Sequence, residues 1–494
     1  MQRKLVGKSQ KSEENLDSSS SDEATVPNGQ AEVSQEEENQ QKDDSEPRFR
    51  IFDKPIHRPR ESLFSVASGY NNYRGFLNLC IVLLILSNAR LLLENVMKYG
   101  ILVDPIQWIT VILADPHRWP CFTVCMASNI FVLIALKIEQ KLCQGAVSER
   151  MGTGLQIANL SSVLIFPAVA VWFLHSYLLA AFTTMIIYSC LFMKLTSYVM
   201  VNRWYRLARR GKISPEHFQH PYSNPQQLRE KWSNSSFGAY DEPEVAYPDN
   251  LTARNIYYFY AAPTLCYELN YPRTPGIRKV YLAKRIGEIL LLTQLELALA
   301  QQWLLPIMQN SVAPLRDSDW SKIMERLLKL AIPNHCMWLI GFYLFFHSAM
   351  NAIAEVMRFA DRQFYKDWWN AETVQDFWRN WNMPVHRWAS RHMFVPLLDN
   401  GFKKWQAALF VFLVSAFFHE YVVSIPLGIF RLWAFMGMLM QIPFAMFVQR
   451  FMKGPLGNMA VWMSLIVGQP LAILMYFHDY YILETKSGHD VILA

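Results

Sequence analysis

Beyond residue 75 the chain is written in long apolar runs separated by polar breaks. Nine stretches approach or exceed the roughly 20 residues needed to cross hydrocarbon: 76–95, 120–137, 155–174, 177–200, 283–305, 330–350, 404–427, 430–450 and 459–478. Runs of that length predict helices, because a spanning segment must satisfy its own backbone. The expected fold class is therefore an all-α polytopic membrane protein with about nine transmembrane helices. Two breaks are long, at 82 residues (201–282) and 53 residues (351–403). Connectors are rarely that long. Both also hold many aromatic and basic residues, so they are expected to form structured cytosolic elements, interfacial helices included, that roof the membrane domain.

The pattern ahead of the first run is the opposite. Residues 1–48 are rich in Ser, Glu, Asp, Gln and Lys, and Met1–Pro47 holds no aromatic residue. Such a segment cannot bury enough apolar surface to offset its ordering entropy and is expected to be a disordered cytosolic tail. Residues 49–75 mix basic residues with Phe49, Phe52, Phe64 and Tyr70, which suits contact with a membrane surface or a second subunit. The membrane domain is expected over 76–484, with 485–494 a short luminal tail.

Composition sharpens this picture. The 494 residues are 52% hydrophobic and 18% charged, below the roughly 25% charged share of soluble proteins. The net charge of +6 matters through its placement. Arg203, Arg206, Arg209, Arg210 and Lys212 follow the fourth run. Arg358, Arg362, Lys366, Arg379, Arg387, Arg391, Lys403 and Lys404 follow the sixth. The positive-inside rule puts both stretches, and the N-terminus, in the cytosol. An odd helix count then puts the C-terminus in the lumen. Arg316, Lys322, Arg326 and Lys329, between the fifth and sixth runs, count against this orientation. Seven scattered cysteines give no disulfide framework and no zinc spacing.

Candidate chemistry begins at Ser415-Ala416-Phe417-Phe418-His419-Glu420-Tyr421, inside the seventh run. His419 lies about 15 Å along the helix from Leu409 at 1.5 Å per residue. An ionisable residue at that depth faces a bundle interior and is a functional candidate, and a neutral imidazole suits a general base. The ordinary alternative is a histidine that bridges two helices by hydrogen bonds, as His175, His335, His347 and His478 are also intramembrane. A zinc-peptidase reading fails, because Val423 stands where the second histidine is needed. Ser415, one helical turn before His419, leaves a serine–histidine nucleophile pair open.

A second signal is Phe364-Tyr365-Lys366-Asp367-Trp368-Trp369-Asn370, followed by Phe377–Trp388, with five tryptophans in 21 residues. Aromatic residues collect at membrane interfaces. Helical spacing further puts Trp378, Trp381, Val385 and Trp388 on one face, predicting an interfacial helix. Pro384 is expected to break that helix, with Met383 pushed out of helical geometry. Asn382 would then sit beside irregular backbone, its amide free to point into a cavity.

Phe364–Asn370 followed by an intramembrane His-Glu resembles the acyl-CoA-dependent branch of the membrane-bound O-acyltransferases, which holds the sterol and the type-1 diacylglycerol O-acyltransferases. Three longer runs, Asn72–Ile106, Tyr247–Lys279 and Phe430–Tyr481, are similar to the animal diacylglycerol enzymes. The resemblance spans roughly residues 62–484. Met393-Phe394-Val395 departs from it, standing where the family has an aromatic residue, a tyrosine and a lysine.

The resemblance implies nine helices around a central tunnel, entered by long-chain acyl-CoA from the cytosol and by diacylglycerol from the lipid bilayer. By similarity His419 is the general base, Asn382 holds the thioester carbonyl or its oxyanion, and Glu420 orients the site. Trp381, His386, Lys404 and Ser415 are expected along the acyl-CoA path, and Met438, Gln441 and Gln469 along the acyl channel. No metal, cofactor or nucleic acid is expected, acyl-CoA being a substrate. The implied setting is the endoplasmic reticulum membrane, and the implied assembly a homodimer or homotetramer. Sterol acyl transfer is the nearest alternative. A transporter would call for paired broken helices and internal symmetry, and neither is visible.

Overall fold

The computed structural model describes residues 74–104, 106, 120–174, 178–211, 245–311 and 320–487. The expected disordered tail, nearly all of the 49–75 segment and residues 488–494 lie outside these. The chain divides into a unit ending at Ile85, which holds the opening turns of helix α1 (Arg74–Tyr99), and a unit of Leu86–Ala494.

Helices α2 (Pro120–Cys143), α3 (Glu149–Leu174) and α4 (Leu178–Arg209) realise the second, third and fourth expected spans. A short amphipathic helix α5 (Ala253–Ala261) follows in the first long break. α6 (Lys279–Leu299) and α7 (Trp320–Phe342) realise the fifth and sixth spans. The second long break holds α8 (Val374–Asn380) and α9 (Met383–Ala389). α10 (Lys404–Leu427), α11 (Trp433–Phe451) and α12 (Pro455–Ser487) complete the order. Among the described residues seven helices are long and apolar enough to cross a membrane. α6 and α11 coincide with the two remaining expected spans.

α2, α3 and α4 pack together around Val132, Ala135, Val163, Tyr188, Leu191 and Tyr198, each essentially inaccessible. Two tyrosine hydroxyls in this apolar setting find main-chain partners. Tyr188 donates to the Val124 carbonyl at 2.6 Å, and Tyr421 on α10 donates to the Leu164 carbonyl at 2.6 Å. The second of these seats α10 on α3, where Met185, Val171 and Ile425 close the contact. α12 lies along α7, and α11 along α10.

Among the described residues there are three π-helical turns: Ala300–Leu304 and Tyr343–Ala349 extend long helices, and Ser390–Phe394 follows the short α9. Two precede a proline. Pro306 and Pro396 have no N–H to offer the carbonyl four residues back. The residue before each bonds five back instead: Leu305 N–H to the Ala300 carbonyl and Val395 N–H to the Ser390 carbonyl.

The two long breaks meet each other. Thr274 N–H donates to the Arg358 carbonyl at 2.8 Å and Ala360 N–H to the Pro272 carbonyl at 2.9 Å. Lys194 on α4 donates to the Phe259 and Ala262 carbonyls at 2.8 and 2.7 Å, capping the C-terminus of α5.

Candidate active site

His419 occupies a distinct face of α10. Phe418 and Tyr421 turn toward α3 and α4, while Glu420 turns toward α11 and α12. Between them the imidazole remains exposed, although it lies well inside the helix. His419 Nδ1 lies 2.8 Å from the Ser415 carbonyl oxygen. A carbonyl only accepts, so Nδ1 carries the proton and Nε2 keeps its lone pair. One backbone atom thus sets the tautomer a general base requires. The same bond bears on the serine–histidine pair: the nitrogen facing Ser415 is the protonated one, held by the main-chain oxygen.

Glu420 is not where orientation of the base would need it. Its Oε1 accepts from Leu432 N–H at 3.0 Å and from the Ser424 hydroxyl. Its Oε2 accepts from Phe435 N–H at 3.0 Å and the Tyr476 hydroxyl at 2.7 Å. The four bonds fasten the α10–α11 connection, in which Gly428 and Leu432 both adopt left-handed backbone at φ 66° and 60°. Leucine in that conformation costs about 1–3 kcal/mol, and the bond from its N–H to Glu420 helps hold it. The imidazole-orienting contact expected of Glu420 is made by the Ser415 carbonyl.

The aromatic run folds differently from the single broken helix expected of it. α8 ends at Asn380, two residues before the expected break, and a second helix starts at Met383. Asn382 is its N-cap, at φ −136° and ψ 86°, with Oδ1 accepting from Val385 N–H at 3.2 Å. Asn-x-Pro is a helix-start signal, since asparagine caps and proline is tolerated in the first turn. Pro384 therefore opens α9, and Met383 is helical and buried. Trp378, Trp381 and Trp388 do not share a face. The first two join an aromatic cluster with Trp338, Phe342 and Trp368, while Trp388 donates to the Met193 carbonyl at 2.7 Å.

Capping has a chemical consequence. With Oδ1 held by the helix, the Asn382 Nδ2 donors are untaken among the described residues. Phe364–Asn370 fixes the backbone on both sides of it. Lys366 N–H donates to the Asn380 carbonyl at 2.8 Å, and Met383 N–H donates to the Phe364 carbonyl at 3.0 Å. Phe364 and Trp368 are buried as anchors, and Tyr365 OH pairs with His347 Nδ1 at 2.9 Å. Lys366, Asp367, Trp369 and Asn370 are exposed. Asn458 on α12 then ties the run down, donating to the Trp369 and Ala371 carbonyls at 3.0 and 2.8 Å. Gly457 beside it is needed because a Cβ there would collide with the Glu372 carbonyl.

The remaining expected residues are dispersed around this centre. Trp381 stacks on Trp338 at 5.8 Å and on Phe377 at 6.0 Å. His386 sits half-buried on α9. Burial first, then the nearby Arg379, Lys366 and Arg387 charges, push its imidazole below the ordinary histidine range. Lys404 is exposed at the start of α10, and Ser415 is half-buried one turn from the base. Met438 is buried on α11, and Gln469 is half-buried on α12. Gln441 accepts from the Trp378 indole N–H at 2.7 Å, a pairing no sequence signal distinguished. The divergent Met393-Phe394-Val395 falls at the end of the third π-helical turn.

A histidine with a fixed tautomer and an amide with its oxygen held by a helix N-terminus are groups that can serve an acyl transfer. Comparison with known proteins points the same way. The profile of the MBOAT, membrane-bound O-acyltransferase family, matches residues 142–478. Diacylglycerol O-acyltransferase 1 of Homo sapiens is 53% identical over 432 residues, covering 87% of this chain and 85% of that protein. Its namesake in Chlorocebus aethiops is 53% identical over 432 residues, 87% of this chain and 84% of that one. Diacylglycerol O-acyltransferase 1-2 of Oryza sativa subsp. japonica is 39% identical over 433 residues, 86% of each. Over this much of its length, with His419 and Asn382 both inside the matched region, the chain belongs to the membrane-bound O-acyltransferase family.

Proposed function

We propose that the protein is an acyl-CoA:diacylglycerol O-acyltransferase that makes triacylglycerol by direct transfer. The observation that carries this is the Nδ1 bond of His419 to the Ser415 carbonyl, which leaves Nε2 as the acceptor of the diacylglycerol hydroxyl proton. The hydroxyl oxygen attacks the thioester carbonyl carbon as its proton passes to Nε2. The carbonyl becomes an oxyanion facing the Asn382 Nδ2 donors, a contact worth about 3–4 kcal/mol in a dry site. The C–S bond then breaks, and Nε2–H returns the proton to the coenzyme A thiolate. The cycle closes without metal or organic cofactor.

Trp381, His386 and Lys404 are assigned to the coenzyme A side of the path, and Met438, Gln441 and Gln469 to the acyl chain. The setting that fits is the endoplasmic reticulum membrane, N-terminus cytosolic and C-terminus luminal, as a homodimer or homotetramer. The names of the relatives favour diacylglycerol over sterol. Purified protein given oleoyl-CoA should esterify 1,2-diacylglycerol at least roughly tenfold faster than cholesterol, a difference of about 1.4 kcal/mol between transition states. Equal rates would remove the diacylglycerol assignment.

A further inference from the structure

We propose that Trp378 is a positioning residue for the transfer step, setting the spacing between the base on α10 and the amide donor at the α8–α9 junction. The inference rests on the reaction assigned above.

Trp378 stands on α8, four residues before Asn382. On its far side the indole meets the His419 imidazole edge to face, with centroids 6.2 Å apart and planes at 87°. It meets Phe412 in the same way at 6.5 Å and 87°. Phe412 and His419 are seven residues apart and share one face of α10. Among the described residues, the ring contacts between α8 and α10 are these two, and both run through this one indole. Its nitrogen is not idle: Nε1–H donates to Gln441 Oε1 on α11 at 2.7 Å. Phe377 on α8 and Trp381 just beyond its end brace it at 5.3 and 6.2 Å.

One rigid side chain therefore touches three elements: the one leading into the oxyanion donor, the one bearing the base, and a third that pins it. The Ser415 carbonyl sets which nitrogen of His419 is protonated, but a single hydrogen bond leaves the ring free to tilt. The indole edge limits that tilt. The Gln441 bond fixes where the indole itself lies. Misplacing a reacting group by about 1 Å can cost about 100-fold in rate, so a spacer of this kind acts on turnover. Gln441 Oε1 is thereby occupied by the indole. Beside its place along the acyl chain, Gln441 therefore also acts through Trp378.

The test uses the purified full-length protein and the variants Trp378→Leu, Trp378→Phe and Gln441→Leu. Each is measured for turnover, KM for oleoyl-CoA, elution volume and thermal unfolding. Trp378→Leu should lose at least about tenfold in turnover, equivalent to about 1.4 kcal/mol, with KM changed less than about twofold. Trp378→Phe keeps a ring edge against His419 and should recover most of that loss. Gln441→Leu should fall between wild type and Trp378→Leu. Full turnover in Trp378→Leu, a loss confined to KM, or a Phe variant no better than the Leu variant would overturn the proposal. If Trp378→Leu aggregates, the other two decide, and unchanged turnover in Gln441→Leu overturns it. Wild-type esterification of diacylglycerol, run in parallel, tests the assigned reaction separately. The variants are ranked by coenzyme A release with whichever acceptor the wild type uses, so either idea can fail alone.

Discussion

The Tyr476 hydroxyl donates to Glu420 Oε2 across 2.7 Å, so α12 and α10 meet at a buried carboxylate next to His419. The same carboxylate accepts two main-chain N–H groups from the start of α11. Four donors converge on it, an arrangement that suits a carboxylate and not an amide. Glu420→Gln should therefore lower the unfolding temperature, by the equivalent of about 3 kcal/mol for a buried acceptor turned toward donors. Tyr476→Phe should cost less, since it removes one donor and leaves the carboxylate three. A Glu420→Gln protein as heat-stable as wild type but with unchanged substrate affinity and no turnover would restore a direct catalytic role.

His419 and Ser415 are separable by mutation. His419→Ala should keep elution volume and unfolding temperature near wild type while lowering acyl transfer by about 100-fold or more, the range for loss of a general base. Ser415→Ala retains the carbonyl that holds Nδ1 and should lower the rate only modestly. Isolation of an acyl group bonded to Ser415 during turnover would replace direct transfer with a covalent route.

Asn382 has two duties that different substitutions split. Asn382→Asp keeps an N-cap oxygen but removes the Nδ2 donors, so the helix should survive and turnover should fall about 100- to 1,000-fold. Asn382→Ala loses the cap as well, adding a stability loss of about 1 kcal/mol. In both, KM for acyl-CoA should change less than turnover, because an oxyanion donor acts in the transition state. A large rise in KM at constant turnover would make Asn382 a binding residue instead.

His392 carries an acid-stability prediction. Its Nε2 pairs with the Ser197 hydroxyl at 2.7 Å, and that hydroxyl also accepts from Tyr267 N–H at 2.7 Å. Burial, with the Arg391 charge second, holds the imidazole down at about 3. The unfolded chain therefore binds this proton more readily, near pH 6.5. The stability the neutral ring contributes is full above that pH and is lost as pH falls toward 3, by up to about 1.4 kcal/mol per unit. Unfolding temperature measured from pH 7 to 4 should fall less steeply in His392→Gln than in wild type. Equal slopes would mean the ring is protonated in the fold.

Asn234-Ser235-Ser236 and Asn250-Leu251-Thr252 are asparagine sequons, and packing constrains modification at the second. Asn250 is fully buried, its Nδ2 donating to Asn202 Oδ1 and Tyr267 OH at 2.8 and 2.9 Å. A missing glycan there thus reports burial as much as sidedness. Asn234 lies outside the described residues.

What the sequence determined alone was whatever depends on local solvation. A run of apolar residues has one way to cross hydrocarbon, so the spans were legible to within about three turns, and 404–427 coincides with α10. The family motif and His419 were legible because an ionisable residue in such a run is conspicuous. Tertiary structure decided which neighbours each polar atom meets. His419 and Glu420 are adjacent in sequence but about 100° apart around the helix, so the two pieces of His-Glu face different partners. Pro384 reads equally well as the end of one helix or the start of another. The choice rested on Asn382 capping, and on Phe364 and Lys366 bonding the backbone either side of it. Trp378 looked like any tryptophan in an aromatic run. Its contacts with His419 and Gln441 join residues 41 and 63 positions away, and only the packing of three helices brings those together.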